Sequence, residues 1–343
     1  MTLEKIITSY IDTNGPLSVA DYMAMVLTHP EYGYYMRKDP LGAKGDFITA
    51  PEICQIFGEL IGAWLAAQWI GMGRPEAALA ELGPGRGTLM NDILRATKTV
   101  PGFHQAITVH LVEASPALKQ KQWNALAGKH PHVNWHDYFD DLPPKPLLLV
   151  ANEFFDALPI RQYVYLPEGW RERFIKVEDG KLAFTIPATA GRVIERCESG
   201  KEWAASIGKH IAAHTGVALI IDYGYPTPPR ESNETLQAMR GHKFHDVLTD
   251  PGTADLTAHV DFGAIGQAAL EEGTKIYGPI AQGQFLVNIG AAMRTAILCE
   301  TATDDQKSTM ISSMERLISP KQMGELFKVL CITHPTHPAP EGL

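Results

Sequence analysis

The stretch ELGPGRG at 81–87 follows the small apolar run 77–80 and precedes a segment, Thr88 to Leu94, whose apolar residues recur at helical spacing. It reads as a strand, a glycine turn and a helix N-terminus. Gly83, Gly85 and Gly87 allow φ > 0 and let a ligand approach the backbone, while the free N–H groups opening the helix face whatever lies over the turn. A dinucleotide pyrophosphate can sit in such a place. Here Glu81 ahead of the first glycine and the rigid Pro84 inside the turn suit a cationic amino-acid group better than a phosphate, so S-adenosylmethionine is the first candidate. Taken alone, the turn also fits a dinucleotide or no ligand at all.

A second acid sharpens the reading. Ile107 to Val112 alternates as a strand and ends at Glu113, about one βαβ step beyond the turn, where a carboxylate accepts hydrogen bonds from both ribose hydroxyls. The short strand VNWHD at 133–137 ends in Asp137, placed to meet the adenine amino group or to cap its own loop. The apolar strand Leu147 to Ala151 runs into NEFFDALP at 152–159. Gly83, Glu113, Asp137 and Asn152 therefore stand in order at strand ends, which in an open parallel sheet meet in one crevice. This order of features is that of a class I, Rossmann-like α/β methyltransferase.

Composition narrows the class further. A chain of 343 residues with 45% hydrophobic residues buries a large core but is long for one compact α/β unit, so added segments forming a second lobe are expected. The net charge of −9 argues against a nucleic-acid substrate and for a basic partner. The four cysteines, Cys54, Cys197, Cys299 and Cys331, show no metal spacing and read as reduced thiols. No stretch reaches the ~20 apolar residues of a membrane span, and the start MTLEKII is neither a signal peptide nor a transit sequence, so a bacterial cytoplasmic setting is expected.

Along the chain, residues 1–75 form an N-terminal helical and lid segment, with helical patterns near Leu3 to Thr13 and Glu52 to Ile70. Residues 76–343 form the cofactor-binding domain. Two insertions interrupt it: an aromatic hairpin at about 160–190 and a polar loop region at 225–262. A helical stretch near 200–214 feeds the apolar strand Val217 to Ile221, and Leu326 to Ile332 is strand-like. The Pro-rich tail 334–343 is expected to fray.

Eight ordered blocks resemble the MidA family: 33–64, ELGPGRGTLMNDILR (81–95), VEASPAL (112–118), NEFFDALPIRQ (152–162), IDYGY (221–225), PGTADLTAHVDF (251–262), GPIAQGQFL (278–286) and MGELFKVL (323–330). The resemblance covers nearly the whole chain. Cys54 stands where Ser is usual and Ala281 where Thr is usual, both small-for-small changes outside the cofactor residues. Mitochondrial members of that family assist complex I assembly by methylating an arginine on one of its subunits. The resemblance thus implies a methyltransferase that uses S-adenosylmethionine on a basic, arginine-containing protein segment.

Arginine poses a specific chemical problem, because its guanidinium stays protonated and its lone pairs are delocalised. Glu153 and Asp156, three apart after the fourth strand, are the candidate catalytic pair that would hold it by bidentate hydrogen bonds. The plainer alternative makes Asp156 a turn cap before Pro159 and Glu153 a solvated acid. Asn152 would hold the amino-acid part of the cofactor or the acceptor. In the loop GDFITAPE at 45–52, Gly45 and Asp46 would approach the methionine moiety, and Thr49 would join them or simply cap the helix opening near Pro51.

His242, His245, Asp246, Asp255, His259 and Asp261 include no Cys and no compact second ligand pair, so they read as hydrogen-bonded loop residues, and no metal is expected. Two other functions stay open: a methyltransferase for a small molecule or another protein group, and an assembly factor that binds a subunit without catalysis. Self-association is left open too.

Overall fold

A computed structural model describes residues 2–37, 49–228 and 234–343. Its main sheet contains β1 (Ala77–Leu82), β2 (Ile107–Val112), β3 (Val133–His136), β4 (Leu147–Asn152), β5 (Gly216–Tyr225), β6 (Lys275–Ala281) and β7 (Phe327–Thr333). Their spatial order is β3-β2-β1-β4-β5-β7-β6, and the bridge Val260–Asp261 joins as an eighth strand on the end of β5. β1 to β5 are parallel; β7 is antiparallel to both its neighbours. This is the expected class I methyltransferase sheet.

Every residue of β1, β4 and β7 is buried, as a sheet covered on both faces requires. Alternation along β1 sends Ala77 and Leu79 into one core and Ala78, Ala80 and Leu82 into the other. The first core is closed by the helices Gln55–Gly71 and Thr88–Thr97, the second by Glu198–His214 and Phe262–Glu271. The first pair of helices approaches closely: a Cβ on Gly62 would stand 2.9 Å from Cα of Ile93. The expected single helix over 52–70 is broken at Cys54, which is extended (φ −152°) between Ala50–Ile53 and Gln55–Gly71.

A third core lies apart from the sheet. Leu3, Ile7 and Ile11 of the helix Leu3–Asn14 and Tyr22, Met23 and Val26 of Val19–Thr28 pack with Ile175 and Leu256 of the two insertions. The N-terminal helices and both insertions thereby make the second lobe. In the first insertion Arg161–Leu166 and Gly169–Glu178 form the expected hairpin, extended by Lys181–Phe184, Arg192–Arg196 and the N-terminal pair Leu17–Ser18 into an antiparallel sheet.

Two expectations are corrected. The region 225–262 is not simply polar loop, since Lys243–His245, Gln237–Arg240 and Asp255–Thr257 form a three-stranded sheet in that order. Strands of three or four residues are too short to display a period. Nor does the tail fray: Trp64 Nε1 donates to the Glu341 carbonyl (2.8 Å), Asn288 Nδ2 donates to that of Gly342 (3.1 Å), and His337 is buried. Donors from the helices capture a segment too rich in proline to form its own ladder.

Candidate active site at the strand ends

The carboxyl ends of β1, β2 and β4 open onto a cleft of about 240 Å³. Its floor is the glycine turn. Gly83, Gly85 and Gly87 all have positive φ (58°, 53° and 80°); Gly83 and Gly85 line the cleft, and Gly87, outside the lining and packed against Gln122, is the left-handed residue that starts the helix Thr88–Thr97. A Cβ on Gly83 would lie 2.9 Å from the ring of Phe154, so a side chain there would collide with the loop after β4. The Gly83 N–H donates to the Val112 carbonyl at 3.0 Å and the Gly85 carbonyl accepts from Gln122 Nε2 at 2.8 Å. The turn is thus tied to β2 and to the helix Pro116–Leu126. Pro84 lines the same floor.

Glu81 is 3% exposed at the base of this cleft, and its Oε2 has no hydrogen-bond partner. Burial pushes its carboxyl up to about 8, helped by the Glu113 charge and opposed by the Met90 backbone N–H. A buried acceptor left open beside three positive-φ glycines fits the ammonium of an amino-acid ligand. The Glu113 carboxylate accepts from Ser115 N (2.8 Å) and Gln122 Nε2 (3.1 Å), which fixes it at the end of β2 with lone pairs to spare for ribose hydroxyls. Burial pushes its carboxyl up as well.

Asn152 closes β4; Nδ2 donates to Glu153 Oε1 at 3.1 Å and Oδ1 is buried without a partner. Thr49 lines the cleft from the N-terminal side, and its hydroxyl makes no cap bond to the helix it precedes. Asp137 is outside the lining: it is exposed and paired with Lys119 Nζ at 2.5 Å. Gly45 and Asp46 lie outside the described residues.

Glu153 occupies the junction of two cavities. It lines the cleft and also a second chamber of about 410 Å³ that Tyr223, Met239, Phe244, His259 and Phe327 surround. It is no solvated acid. Its backbone takes φ +52°, its Oε1 accepts from Ala50 N at 2.9 Å, and burial pushes the carboxyl up to about 7, with Asp156 adding to the rise. Asp156 is buried one step behind, absent from the lining of either cavity, with Oδ1 unpartnered. Burial raises its carboxyl above the usual range.

Residues that sequence reasoning passed over complete the arrangement. Asp222, fully buried at the end of β5, accepts from the N–H groups of Phe155 (3.0 Å), Asp156 (3.1 Å) and Tyr223 (2.9 Å). It therefore anchors the loop that carries Glu153. Burial, then the charges of Asp156 and Glu153, hold its carboxyl well above the usual range. Tyr35 donates to Asp255 (2.9 Å) and its carbonyl accepts from the Ser115 hydroxyl, which links the lobe to the cleft. A strand ending in Asp-Tyr-Gly was the available signal for Asp222 and Tyr223. Of the histidine and aspartate group, Asp261 caps the helix Phe262–Glu271, Asp246 accepts from Leu248 N and His245 meets the Thr249 carbonyl. Among the described residues no three such side chains gather as metal ligands.

Residues 60–280 match the family described as S-adenosyl-L-methionine-dependent methyltransferase. The chain is similar to protein arginine methyltransferase NDUFAF7, mitochondrial, of Xenopus laevis, 38% identical with 94% of this chain and 82% of that protein covered. The Homo sapiens protein of that name is 36% identical, with 94% and 81% covered. A solved structure from Burkholderia thailandensis, of a COG1565 superfamily member bound to S-adenosyl-homocysteine, superposes with a TM-score of 0.85 at 26% identity, covering 99% of this chain and 93% of that one.

Proposed function

Because the chain belongs to the S-adenosyl-L-methionine-dependent methyltransferase family, we propose that the acceptor it methylates is an arginine in a basic segment of another protein. The observation that carries this is the place of Glu153, in the wall common to the cofactor cleft and the second chamber, with Asp156 and Asp222 behind it. Among the described residues no salt bridge is formed by these three carboxylates; the one cationic side chain in the chamber wall, Arg316, lowers the Glu153 carboxyl but does not undo its rise. Crowded buried acids are stabilised by a cation, and a guanidinium entering the chamber supplies one with fixed, forked donors. The similarity to proteins named arginine methyltransferase supports the same acceptor.

When bound, the cofactor supplies an electrophilic methyl group. The chain does the positioning. Glu81 holds the ammonium, Glu113 the ribose, and the glycine turn, Thr49 and Asn152 the methionine moiety. Gly45 and Asp46 complete the set in this reading, and Asp137, exposed and paired with Lys119, falls outside it. Glu153 aligns one guanidinium nitrogen toward the cleft, and Asp156 sustains the local negative potential. Residues 1–75 act as the covering segment of a cofactor domain spanning 76–343, since Tyr35, Met36 and Thr49 line the cleft from that side.

The resemblance to the MidA family makes a respiratory complex I subunit the first acceptor to try, in a bacterial cytoplasm, with self-association left to measurement. The test is transfer of labelled methyl groups from S-adenosylmethionine into a lysate lacking this chain, followed by mass spectrometry. Label on arginine supports the reading. Label on lysine, a carboxylate or a metabolite overturns the acceptor, and no label despite tight cofactor binding favours a non-catalytic assembly role.

A further inference from the structure

An arginine is a cation before and after methylation, so each turnover releases one proton from the acceptor nitrogen, and the site needs an outlet for it. Tyr223 in the chamber wall and Asp156 behind it are a suitable pair. Tyr223 lines the chamber, yet its hydroxyl is buried and makes no hydrogen bond of normal geometry, although it lies beside Asp156 and Thr257. Oδ1 of Asp156 is likewise buried and unpartnered. Two complementary groups, a donor and an acceptor, stand open next to each other.

Their relative position is fixed by a third residue. Asp222 accepts from the Tyr223 N–H with one oxygen and from the Asp156 N–H with the other, at 2.9 and 3.1 Å. The Tyr223 ring is held edge-on between His259 and Phe327, each with a centroid separation of 5.4 Å. The backbone of Asp156 is pinned again where its carbonyl accepts from Ala258 N at 2.9 Å.

We propose that Tyr223 and Asp156 form the proton outlet of the methyl-transfer site, resting on the reading of an arginine acceptor. As the new N–CH3 bond forms at the expense of the donor's S–CH3 bond, the acceptor N–H proton passes to the Tyr223 oxygen. The hydroxyl proton of Tyr223 passes to Oδ1 of Asp156. Tyrosine ends as it began, and the carboxylate ends as a carboxylic acid, which returns its proton to water when the chamber empties. Burial favours that acid form. The groups facing the pair are Glu153 on the same loop, Asp222 on β5, His242 and His259 from the second insertion, Arg316 from the helix Asp304–Ile318 across the chamber, and Tyr35 with its partner Asp255. Burial lowers the pKa of His259 and so favours its neutral ring.

Tyr223→Phe keeps the ring contacts, so it tests the hydroxyl alone. The assay is initial-rate transfer of labelled methyl into arginine of a lysate lacking this chain, from pH 6 to 9, beside calorimetry with S-adenosyl-homocysteine. Expected for Tyr223→Phe and Asp156→Asn is cofactor-product affinity within about twofold of wild type and a rate at least tenfold lower at pH 7. The loss should shrink as pH rises and hydroxide takes the proton directly. An undiminished rate in Tyr223→Phe, or an equal loss at every pH, overturns the outlet. A wild-type chain that labels no arginine overturns the acceptor reading itself, and the outlet with it.

Discussion

The backbone N–H of Ala50 donates to Oε1 of Glu153 at 2.9 Å, so a residue of the N-terminal segment is bonded to the loop after β4 across 103 positions of sequence. The same oxygen accepts from Asn152 Nδ2 at 3.1 Å. The N-terminal segment, the cleft and the second chamber therefore meet on one carboxylate, held in a left-handed backbone conformation (φ +52°) that a non-glycine residue adopts at some cost.

Glu153→Gln keeps an oxygen for Ala50 and removes the charge. Expected is unchanged affinity for S-adenosyl-homocysteine with kcat reduced by about two orders of magnitude. Because burial lifts this carboxyl to about 7 and its ionised form is the one proposed to hold the acceptor, wild-type turnover is expected to rise with pH through about 7. The variant should lack that limb. Wild-type turnover in Glu153→Gln would remove the carboxylate from the reaction.

Gly85→Val tests the floor. At φ +53° a β-branched residue is strained, and its side chain stands where ligand and backbone approach. Calorimetry should find cofactor binding abolished while circular dichroism reports an intact fold. Retained affinity would mean that the glycine turn is a turn and nothing more.

Glu81 gives a pH signature without any acceptor. Its folded carboxyl sits at about 8 against an ordinary 4.5, so its contribution to stability is complete below 4.5 and is lost as pH rises through 8. The loss is bounded by about 4–5 kcal/mol for a shift of this size. Glu81→Gln should therefore melt progressively higher than wild type between pH 5 and 8, while binding cofactor more weakly. Parallel melting curves for both proteins across that range would show that the burial carries no such charge penalty.

The sheet was legible because its strands are continuous apolar runs punctuated by functional residues. Ile107 to Val112 was read to the residue, and Leu147 to Ala151 and Leu326 to Ile332 to within one. The helix Val19–Thr28 was missed although Ser18 caps it and its buried Val19, Tyr22, Met23, Val26 and Leu27 fall at helical spacing, since Ala20, Ala24 and Met25 make the rest of its surface apolar too and blur the stripe. Along the cleft, Glu81, Gly83, Glu113 and Asn152 converge because each ends a strand, a relation that sequence order alone conveys. Asp222 was passed over as a partner of Asp156 because the two are 66 apart and meet through backbone amides, which carry no side-chain pattern.

Asp222→Ala should expose that dependence as instability. It leaves three buried N–H groups without an acceptor, at about 1–3 kcal/mol each. The expected fall in Tm is at least about 5 °C. Asp222→Asn, with one acceptor oxygen left, should fall between the variant and wild type. A Tm for Asp222→Ala equal to that of wild type would mean that the loop bearing Glu153 is held by other contacts.

Salt separates capture of the acceptor from binding of the cofactor. A chain of net charge −9 draws a basic segment from a distance, and this attraction is screened beyond about 8 Å at physiological ionic strength. In the proposed reading the cofactor would instead be held by Glu81 and Glu113, both buried, where mobile ions reach poorly. Raising sodium chloride from 50 to 300 mM should therefore increase KM for a basic acceptor segment several-fold and change the Kd of S-adenosyl-homocysteine by less than twofold. Equal salt dependence of the two constants would place the decisive charges at the cofactor rather than at the mouth of the chamber, and would argue against a basic polypeptide as the partner.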